Sequence, residues 1–353
     1  MQHVILRTHL FLVVALLLTV VRPARADGVD HLMKAEMARQ NIPGVALAVV
    51  KDGKLVKAAG YGLANVAEKT PVQAETVFRI ASVGKQFIAT GIMLLVEEGK
   101  LGLEDQMEKL IDDVPAAWAG LTVRQLLSHT SGLVRESPGY LGGVRQPDIN
   151  VIRAAYLLPL QFTPGEKYQY SNVGYFTLAE IMRRKSGMPW GDFMSARVFK
   201  PAQLNATTLT DQPTRGPRAV GYAGKDGEWT PVVDAIAVRP SGAFHSTVLD
   251  LARWDTLLDG SKVLKAESRA QMWKPTKLND GRLHDYGLAW TVGTKGGRAV
   301  IRHGGSQSGF RTEFMRFPKD RVTVIVLANS DEAKPMVFAE LVAEKFLPIT
   351  QQK

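Results

Sequence analysis

The segment Phe78-Arg79-Ile80-Ala81-Ser82-Val83-Gly84-Lys85 leads into Gln86-Phe87-Ile88-Ala89-Thr90-Gly91-Ile92-Met93-Leu94-Leu95. Apolar residues at positions 87, 88, 91, 92 and 95 recur at the spacing of one helix face, which predicts a helix over residues 83–98. Ser82 then lies at the helix N-terminus, where free N–H groups and the helix dipole favour developing negative charge. Lys85 follows one turn later on the same face. The segment therefore predicts a hydroxyl and an amine side by side.

This Ser82–Lys85 pair is a candidate for nucleophilic catalysis. A lysine amine that burial keeps partly neutral can accept the serine proton, and the serine oxygen can then attack a carbonyl carbon. The alternative is that Ser82 only caps the helix and Lys85 is a solvated surface residue. A Ser-x-x-Lys spacing also arises by chance in a chain of 353 residues, so the pair needs support from other motifs.

A second motif, Tyr170-Ser171-Asn172, follows the turn-rich segment Phe162-Thr163-Pro164-Gly165-Glu166. The Tyr170 oxygen could carry a proton between a nucleophile and a leaving group. Asn172 could bind a substrate amide or hold Lys85. The alternative is a half-buried tyrosine and an asparagine that caps the helix predicted over residues 174–187.

A third motif, His303-Gly304-Gly305-Ser306, ends a predicted apolar strand over residues 297–303. Two adjacent glycines let the backbone approach a ligand closely. We therefore predict that His303, Gly304, Gly305 and Ser306 bind substrate. The alternative is that the glycines form a bulge or a tight turn.

Both ends of the chain predict strands, and the middle predicts helices. A helix over 28–40 precedes a hairpin in which Asp52-Gly53 joins strands 45–50 and 55–61. Strands at 286–293, 297–303, 310–317 and 321–329 precede a helix over 334–345, and further helices are expected at 122–128 and 189–199. The expected fold is α/β (α+β), with an antiparallel sheet built from both chain ends, flanked by helices, and an inserted α-rich lobe. We expect the active site in the cleft between them.

The first residues predict a signal peptide over residues 1–26. The apolar run at 10–21 precedes Ala24-Arg25-Ala26, a small-x-small cleavage pattern. At 12 residues this run is too short to span a bilayer, although Arg22 and Arg25 leave an uncleaved anchor as an alternative. A periplasmic or secreted domain would then cover 27–353, with the α/β part at about 27–81 and 285–353 and the α-rich part at about 82–284.

Composition excludes several chemistries. The chain has no cysteine, which excludes disulfides, thiolate catalysis, cysteine-ligated metal and a lipid-modified N-terminal cysteine. The formal charge of +10 is scattered, without the basic stripe of a nucleic-acid-binding protein. No His-x-x-x-His pair or Gly-x-Ser-x-Gly elbow occurs, so we predict no metal, no cofactor and no α/β-hydrolase fold.

Two further segments complete a family pattern, Leu126-Leu127-Ser128-His129-Thr130-Ser131-Gly132-Leu133 and Ser241-Gly242-Ala243-Phe244-His245-Ser246-Thr247. With the three motifs, they resemble the serine β-lactamase and penicillin-binding-protein superfamily, in its class C-like branch. That branch includes class C β-lactamases, D-Ala-D-Ala carboxypeptidases, D-aminopeptidases and family VIII esterases. The resemblance spans nearly all of the chain after residue 26.

The resemblance implies a role for each motif. Ser82 would be the acylated nucleophile, Lys85 its proton acceptor and Tyr170 the general acid and base, while Asn172 would orient the substrate. The backbone N–H groups of Ser82 and Ser306 would form the oxyanion hole. The β-lactamases of this branch usually carry Lys-Thr-Gly where this chain has His-Gly-Gly, which weakens the case for efficient β-lactam hydrolysis.

The sequence thus predicts an exported serine hydrolase that acts through acyl-Ser82 on small esters or amides, including D-amino-acid peptides. A β-lactamase of class C-like mechanism is one alternative, and a penicillin-binding sensor or binding module with little turnover is another. We expect a structural role for His129 and leave His245 open. Substrate selectivity is expected in the loops 135–150 and 215–240, and the oligomeric state is not predicted.

Overall fold

A computed structural model describes residues 26–224, 227–233 and 238–348. The predicted signal peptide and its anchor alternative fall at 1–26, so they lie outside this part of the chain apart from Ala26, the first residue of a helix. No helix in the described ranges is long and apolar enough to span a membrane.

The described strands and helices follow the order that the sequence predicts, with several short additions. The strands are β1 (Gly44–Lys51), β2 (Lys54–Asn65), β3 (Thr70–Pro71), β4 (Phe78–Arg79), β5 (Thr208–Leu209), β6 (Tyr222–Ala223), β7 (Thr230–Pro231), β8 (Phe244–Ser246), β9 (Thr276–Lys277), β10 (Leu283–His284), β11 (Thr291–Lys295), β12 (Arg298–Gln307), β13 (Phe310–Phe317) and β14 (Val322–Ala328). The helices are α1 (Ala26–Gln40), α2 (Lys85–Glu97), α3 (Ala116–Ala119), α4 (Val123–Leu127), α5 (Asp148–Ala155), α6 (Val173–Ser186), α7 (Trp190–Met194), α8 (Lys200–Ala202), α9 (Val248–Leu258), α10 (Ala266–Met272) and α11 (Pro335–Ala343).

The main sheet has seven strands in the order β11-β12-β13-β14-β1-β2-β3, and every neighbouring pair is antiparallel. Strand β1 lies between β14 and β2, so that Ala48 pairs with Ile325 on one side and with Ala58 on the other. The two ends of the chain therefore meet at β1 inside one sheet. This arrangement confirms the predicted fold class.

Helices cover both faces of this sheet. The odd-numbered residues from Val45 to Val49 pack in a core cluster with α1 and α11, which includes Met33 and Phe338. The even-numbered residues from Ala46 to Val50 belong to a larger cluster with α2, α6 and α9. Strand β1 is apolar from Gly44 to Val50, as expected for a strand that is buried on both faces, and only its last residue, Lys51, is partly exposed.

Three local predictions need correction. The strand expected over 286–293 begins and ends later, as β11 (Thr291–Lys295), and the segment before it contains Ala289 at a φ of +68° and buries Leu288 and Trp290 in the core. The His-Gly-Gly motif lies inside β12 instead of at a strand end, paired in unbroken register with β13. The motif therefore forms neither a bulge nor a tight turn. The helical lobe also contains a small sheet of order β4-β8-β5, which the sequence reading did not predict.

Candidate active site

Ser82 lies in a 3-10 turn, Ala81–Gly84, directly before α2. Ala81 has a φ of +48°, a left-handed conformation that costs roughly 1 kcal/mol for a residue with a side chain. The turn is held to the sheet because Thr312 Oγ1 of β13 donates to the Ile80 carbonyl over 3.0 Å. Gly84 is needed at its end, since a Cβ there would lie 2.2 Å from the Phe244 ring. The partly exposed Ser82 is thus presented by a fixed, strained turn.

Lys85 begins α2 and is fully buried. Its Nζ donates to Asn172 Oδ1 over 2.8 Å and to the Ser241 carbonyl over 2.7 Å, and it lies 3.3 Å from Ser82 Oγ. Burial lowers the pKa of Lys85 well below its usual range, so the amine is held toward its neutral form. A neutral amine has two hydrogens, and both have acceptors here. Its lone pair is left for the Ser82 hydroxyl.

Tyr170 lies beside this pair. Its ring centroid is 4.7 Å from Lys85 Nζ and 5.2 Å from the guanidinium of Arg135. Burial raises the pKa of Tyr170 well above its usual value, while the nearby Ser82 hydroxyl acts in the opposite direction. The phenol oxygen is buried and has no hydrogen bond of ordinary geometry within the described residues. A protonated phenol with a free oxygen therefore faces the serine.

Asn172 directly precedes α6 and holds the lysine. Its backbone N–H donates to the Arg135 carbonyl over 2.8 Å. Its side-chain Oδ1 accepts from Lys85, and its Nδ2 donates to Glu136 Oε1 over 2.5 Å. The structure contains the contact between Asn172 and Lys85, which is one of the two roles that the sequence left open, and the substrate-binding role stays a prediction.

The glycines of β12 let this strand lie against the serine turn. A Cβ on Gly305 would be 2.1 Å from Thr312 Oγ1 and 2.5 Å from the Ile80 carbonyl oxygen. Gly304 is less crowded, since its Cβ would meet Glu313 Oε2 at 3.2 Å. Close approach of backbone to backbone is therefore the reason for glycine at position 305.

His303 is buried and supplies no positive charge at neutral pH. Its Nε2 lies 3.0 Å from the Tyr286 hydroxyl and its Nδ1 lies 2.7 Å from the Gly304 carbonyl, which places the ring proton on Nδ1. Burial, with a smaller contribution from Lys85, lowers the pKa of His303 to about 3. The position at which the family's β-lactamases carry a lysine is electrically neutral in this chain.

The motifs meet at a cleft of about 620 Å³. Lys85 and Asn172 lie beneath it, whereas the other predicted site residues line its wall. The lining consists of Ser82, Arg135, Tyr168, Tyr170, His303, Gly304, Gly305, Ser306, Thr312, Glu313 and Lys334 to Val337. A second cavity of about 550 Å³, beside Asp148 and Trp190, contains none of the three motifs.

Several residues of this site were not singled out from the sequence. Glu136 and Arg239 form an ion pair beside Asn172, Thr312 holds the serine turn, and Met336 of α11 borders the cleft. Nothing in the local sequence distinguishes these residues from ordinary surface or strand positions. Ser241, by contrast, lies in the segment that carried the family resemblance.

His129 and His245, the two histidines that the sequence analysis weighed outside the three motifs, are both buried. His129 Nδ1 accepts from the Ser171 N–H over 3.1 Å, and its ring centroid lies 4.2 Å from that of Tyr170. His245 lies on β8 and does not line the cleft. Among the described residues, no group of three or more histidine, aspartate and glutamate side chains is placed to hold a metal ion.

Comparison with known families and proteins gives one consistent result. The beta-lactamase family model matches residues 29–345. Penicillin-binding protein 4* of Bacillus subtilis is 31% identical over 317 residues, which cover 82% of this chain and 68% of that protein. A D-aminopeptidase of Gluconobacter oxydans is 25% identical over 326 residues, or 89% of this chain and 61% of that protein.

Solved structures show the same architecture. An octameric penicillin-binding protein homologue from Pyrococcus abyssi superposes with a TM-score of 0.79 at 26% identity, covering 91% of this chain and 79% of that one. The D-amino acid amidase from Ochrobactrum anthropi SV3, complexed with D-phenylalanine, gives a TM-score of 0.76 at 23% identity. The superposition covers 91% of this chain and 96% of the amidase chain. The second likeness is evidence for the fold alone.

Proposed function

The chain belongs to the beta-lactamase family, and on that premise we propose that it is an exported serine hydrolase that acts through an acyl-Ser82 intermediate on small esters or amides. The observation that carries this proposal is the arrangement of Lys85. Its amine is buried, both hydrogens of the neutral form have acceptors, and its lone pair is left for Ser82 Oγ at 3.3 Å. An amine so held is a general base for the serine.

Acylation follows from this geometry. Lys85 Nζ takes the proton of Ser82, and Oγ forms a bond to the substrate carbonyl carbon. The N–H groups of Ser82 and Ser306 stabilise the resulting oxyanion. Tyr170 donates its proton to the leaving oxygen or nitrogen as the bond to carbon breaks, and it recovers a proton from Lys85. The products are the acyl-serine and an alcohol or amine.

Deacylation runs through the same groups. A water molecule attacks the acyl carbon and gives its proton to the base formed by Tyr170 and Lys85. The bond to Ser82 Oγ then breaks, and the serine regains a proton from the same pair. The acid is released and the enzyme returns to its starting state.

The neutral third motif favours esters and amides over β-lactams. His303 supplies no cation, and Gly304 supplies no hydroxyl, so this strand offers little to the carboxylate that β-lactam substrates carry. The likeness to D-aminopeptidases supports amides of D-amino acids as one substrate group. The β-lactamase and the binding module with little turnover are the alternatives to be tested.

Turnover with a matched set of substrates tests the proposal. The purified protein and Ser82→Ala are assayed with p-nitrophenyl butyrate, D-alanine p-nitroanilide and a chromogenic cephalosporin. We expect hydrolysis of the ester or the anilide, weak or no cephalosporin hydrolysis, and no turnover by Ser82→Ala. Activity that survives in Ser82→Ala contradicts the assignment, and faster cephalosporin hydrolysis supports the β-lactamase.

Export and the domain limits are part of the same proposal. Cleavage after Ala26 would leave residues 27–353 as the mature catalytic domain. N-terminal sequencing of protein recovered from a secreting host checks this cut site. A protein that keeps residues 1–26 in the membrane fraction supports the anchor.

A further inference from the structure

A closed ring of hydrogen bonds runs through the amine of Lys85, Asn172, Glu136, Arg239 and Ser241. The two oxygens that accept from this amine are Asn172 Oδ1 and the Ser241 carbonyl, which lie on separate segments of the chain. An amine lone pair points at the serine only while both acceptors keep their positions. The groups that fix these two acceptors therefore determine the direction in which the lone pair of Lys85 points.

On one side, Glu136 fixes the amide of Asn172. Its Oε1 accepts from Asn172 Nδ2 over 2.5 Å, so the amide oxygen of Asn172 must face Lys85. On the other side, Arg239 fixes Ser241. The backbone carbonyl of Arg239 accepts from the N–H groups of Gly242 and Ala243. The Nε of the Arg239 side chain donates to Ser241 Oγ over 3.0 Å.

The ring closes where Arg239 Nη2 donates to Glu136 Oε2 over 2.6 Å. This ion pair is partly exposed, with 22% of the Arg239 side chain and 46% of the Glu136 side chain accessible. Exposed ion pairs contribute little to folding stability, typically about 0–1 kcal/mol. The pair is therefore poorly explained as a stabiliser of the fold.

Charge around Lys85 acts through the same residues. The titratable and charged groups that face Lys85 or interact with it electrostatically are Arg135, Glu136, Arg239, Tyr170, Tyr175, His129 and His303. After burial, Arg239 makes the largest contribution that lowers the pKa of Lys85, Glu136 raises this pKa, and Arg135 lowers it. The two partners of the ion pair thus act on the base with opposite signs.

We propose that Glu136 and Arg239 are positioning residues for the hydrolase, which aim the Lys85 lone pair at Ser82 through Asn172 and Ser241. This inference rests on the proposed function of Ser82 and Lys85. Neither residue needs to touch the reacting atoms, because each acts through an acceptor of the lysine amine.

The pH profile of kcat/KM separates this role from a structural one. Arg239→Gln removes a positive charge, raises the pKa of Lys85 and moves the acidic limb to higher pH. Glu136→Gln removes a negative charge and moves the limb to lower pH. We expect shifts of roughly half a pH unit or more. The plateau kcat should fall roughly 10- to 100-fold in both variants with a much smaller change in KM.

Two further variants complete the design. Arg239→Lys keeps the positive charge but cannot contact Ser241 Oγ and Glu136 Oε2 at the same time, as the guanidinium does. The acidic limb of its pH profile should therefore stay near that of the wild type, while kcat falls. Arg153→Gln is the matched control, since Arg153 of α5 makes an exposed ion pair with Asp113 and lies outside the cleft lining and outside the loops 135–150 and 215–240. Its kinetics should equal those of the wild type.

A titration of Lys85 by NMR of ε-13C-lysine-labelled protein, assigned with Lys85→Met, gives a readout that does not need turnover. Opposite displacements of the Lys85 pKa in Arg239→Gln and Glu136→Gln support the ring, whatever the substrate proves to be. A Lys85 pKa that is unchanged in both variants, or that moves in the same direction in both, overturns the positioning role, even if Ser82 is acylated. Absence of Ser82 acylation in the wild type overturns the proposed function instead.

Discussion

Lys85 is buried, and the general-base role proposed for it depends on its being able to lose a proton. An arginine at this position would keep its charge at any working pH, because its pKa lies above about 12. We expect Lys85→Arg to lower the acylation rate by about 10²- to 10⁴-fold, which is the range for loss of a general base. Stopped-flow measurement of p-nitrophenol release in the first turnover checks this result.

The exposed Lys109, in the turn Met107–Lys109, provides the control for Lys85→Arg. Lys109→Arg should acylate at the wild-type rate. An acylation rate of Lys85→Arg within tenfold of the wild type would remove Lys85 from the mechanism.

At the scale of elements, strand β12 and the serine turn form one unit through Gly305. In Gly305→Ala the new methyl group would overlap Thr312 Oγ1 and the Ile80 carbonyl, at 2.1 Å and 2.5 Å. Backbone cannot give way cheaply, so we expect a loss of about 1–3 kcal/mol in the free energy of unfolding. We also expect at least a tenfold loss of kcat/KM, because the turn that presents Ser82 is displaced.

Gly304→Ala is the matched comparison, since its Cβ would lie 3.2 Å from Glu313 Oε2 and 3.7 Å from the Thr312 carbonyl oxygen, with no closer contact. Urea unfolding and kcat/KM of both variants should rank Gly305→Ala as the more severe. Equal effects of the two substitutions on stability and activity would show that the close approach at Gly305 does not determine the position of the turn that presents Ser82.

The sequence predicts elements well where one physical signal dominates. The span of β13 agrees with the predicted strand 310–317, because the turn Pro318-Lys319-Asp320 marks where this strand ends and the next one begins. The His-Gly-Gly motif was misplaced because glycine is a weak strand former, whereas here pairing with β13 carries the strand through it. The strand predicted at 286–293 starts only at Thr291, because the left-handed Ala289 interrupts the extended backbone before it, and the sequence pattern does not reveal that conformation.

At the scale of the whole molecule, buried histidines make the folding free energy depend on pH. Burial, with Arg218 and Arg79 nearby, lowers the pKa of His245 to about 3, below its value of about 6.5 in an unfolded chain. The unfolded state therefore takes up the proton first as the pH falls. The stability that this group contributes is lost between about pH 6.5 and pH 3, by up to about 1.4 kcal/mol per pH unit.

We expect His245→Leu to lose less stability than the wild type on acidification. The difference in unfolding free energy between the two proteins should change by about 2 kcal/mol between pH 6.5 and pH 4.5. Urea unfolding at a series of pH values measures this difference. His31→Leu, at an exposed position of α1, is the control. A constant difference across this range would contradict a buried neutral His245.

The distribution of the site along the chain explains what sequence reasoning could find. Ser82, Lys85, Tyr170 and Asn172 lie in short motifs whose residue types match their chemistry. Glu136 and Arg239 are separated by 103 positions, and neither belongs to a local pattern. They meet only because the helical lobe folds the loop after α4 against the segment before β8.

The acyl-enzyme on Ser82 is the central claim, and rapid-quench intact-mass analysis measures it directly. Protein is mixed with excess p-nitrophenyl butyrate, or with benzylpenicillin, and quenched in acid after milliseconds to seconds. We expect a mass increase of one acyl group with the ester, located on the peptide that contains Ser82 and absent from Ser82→Ala. Hydrolysis of the ester with no adduct at Ser82 at any time, or an adduct that persists in Ser82→Ala, would contradict the account.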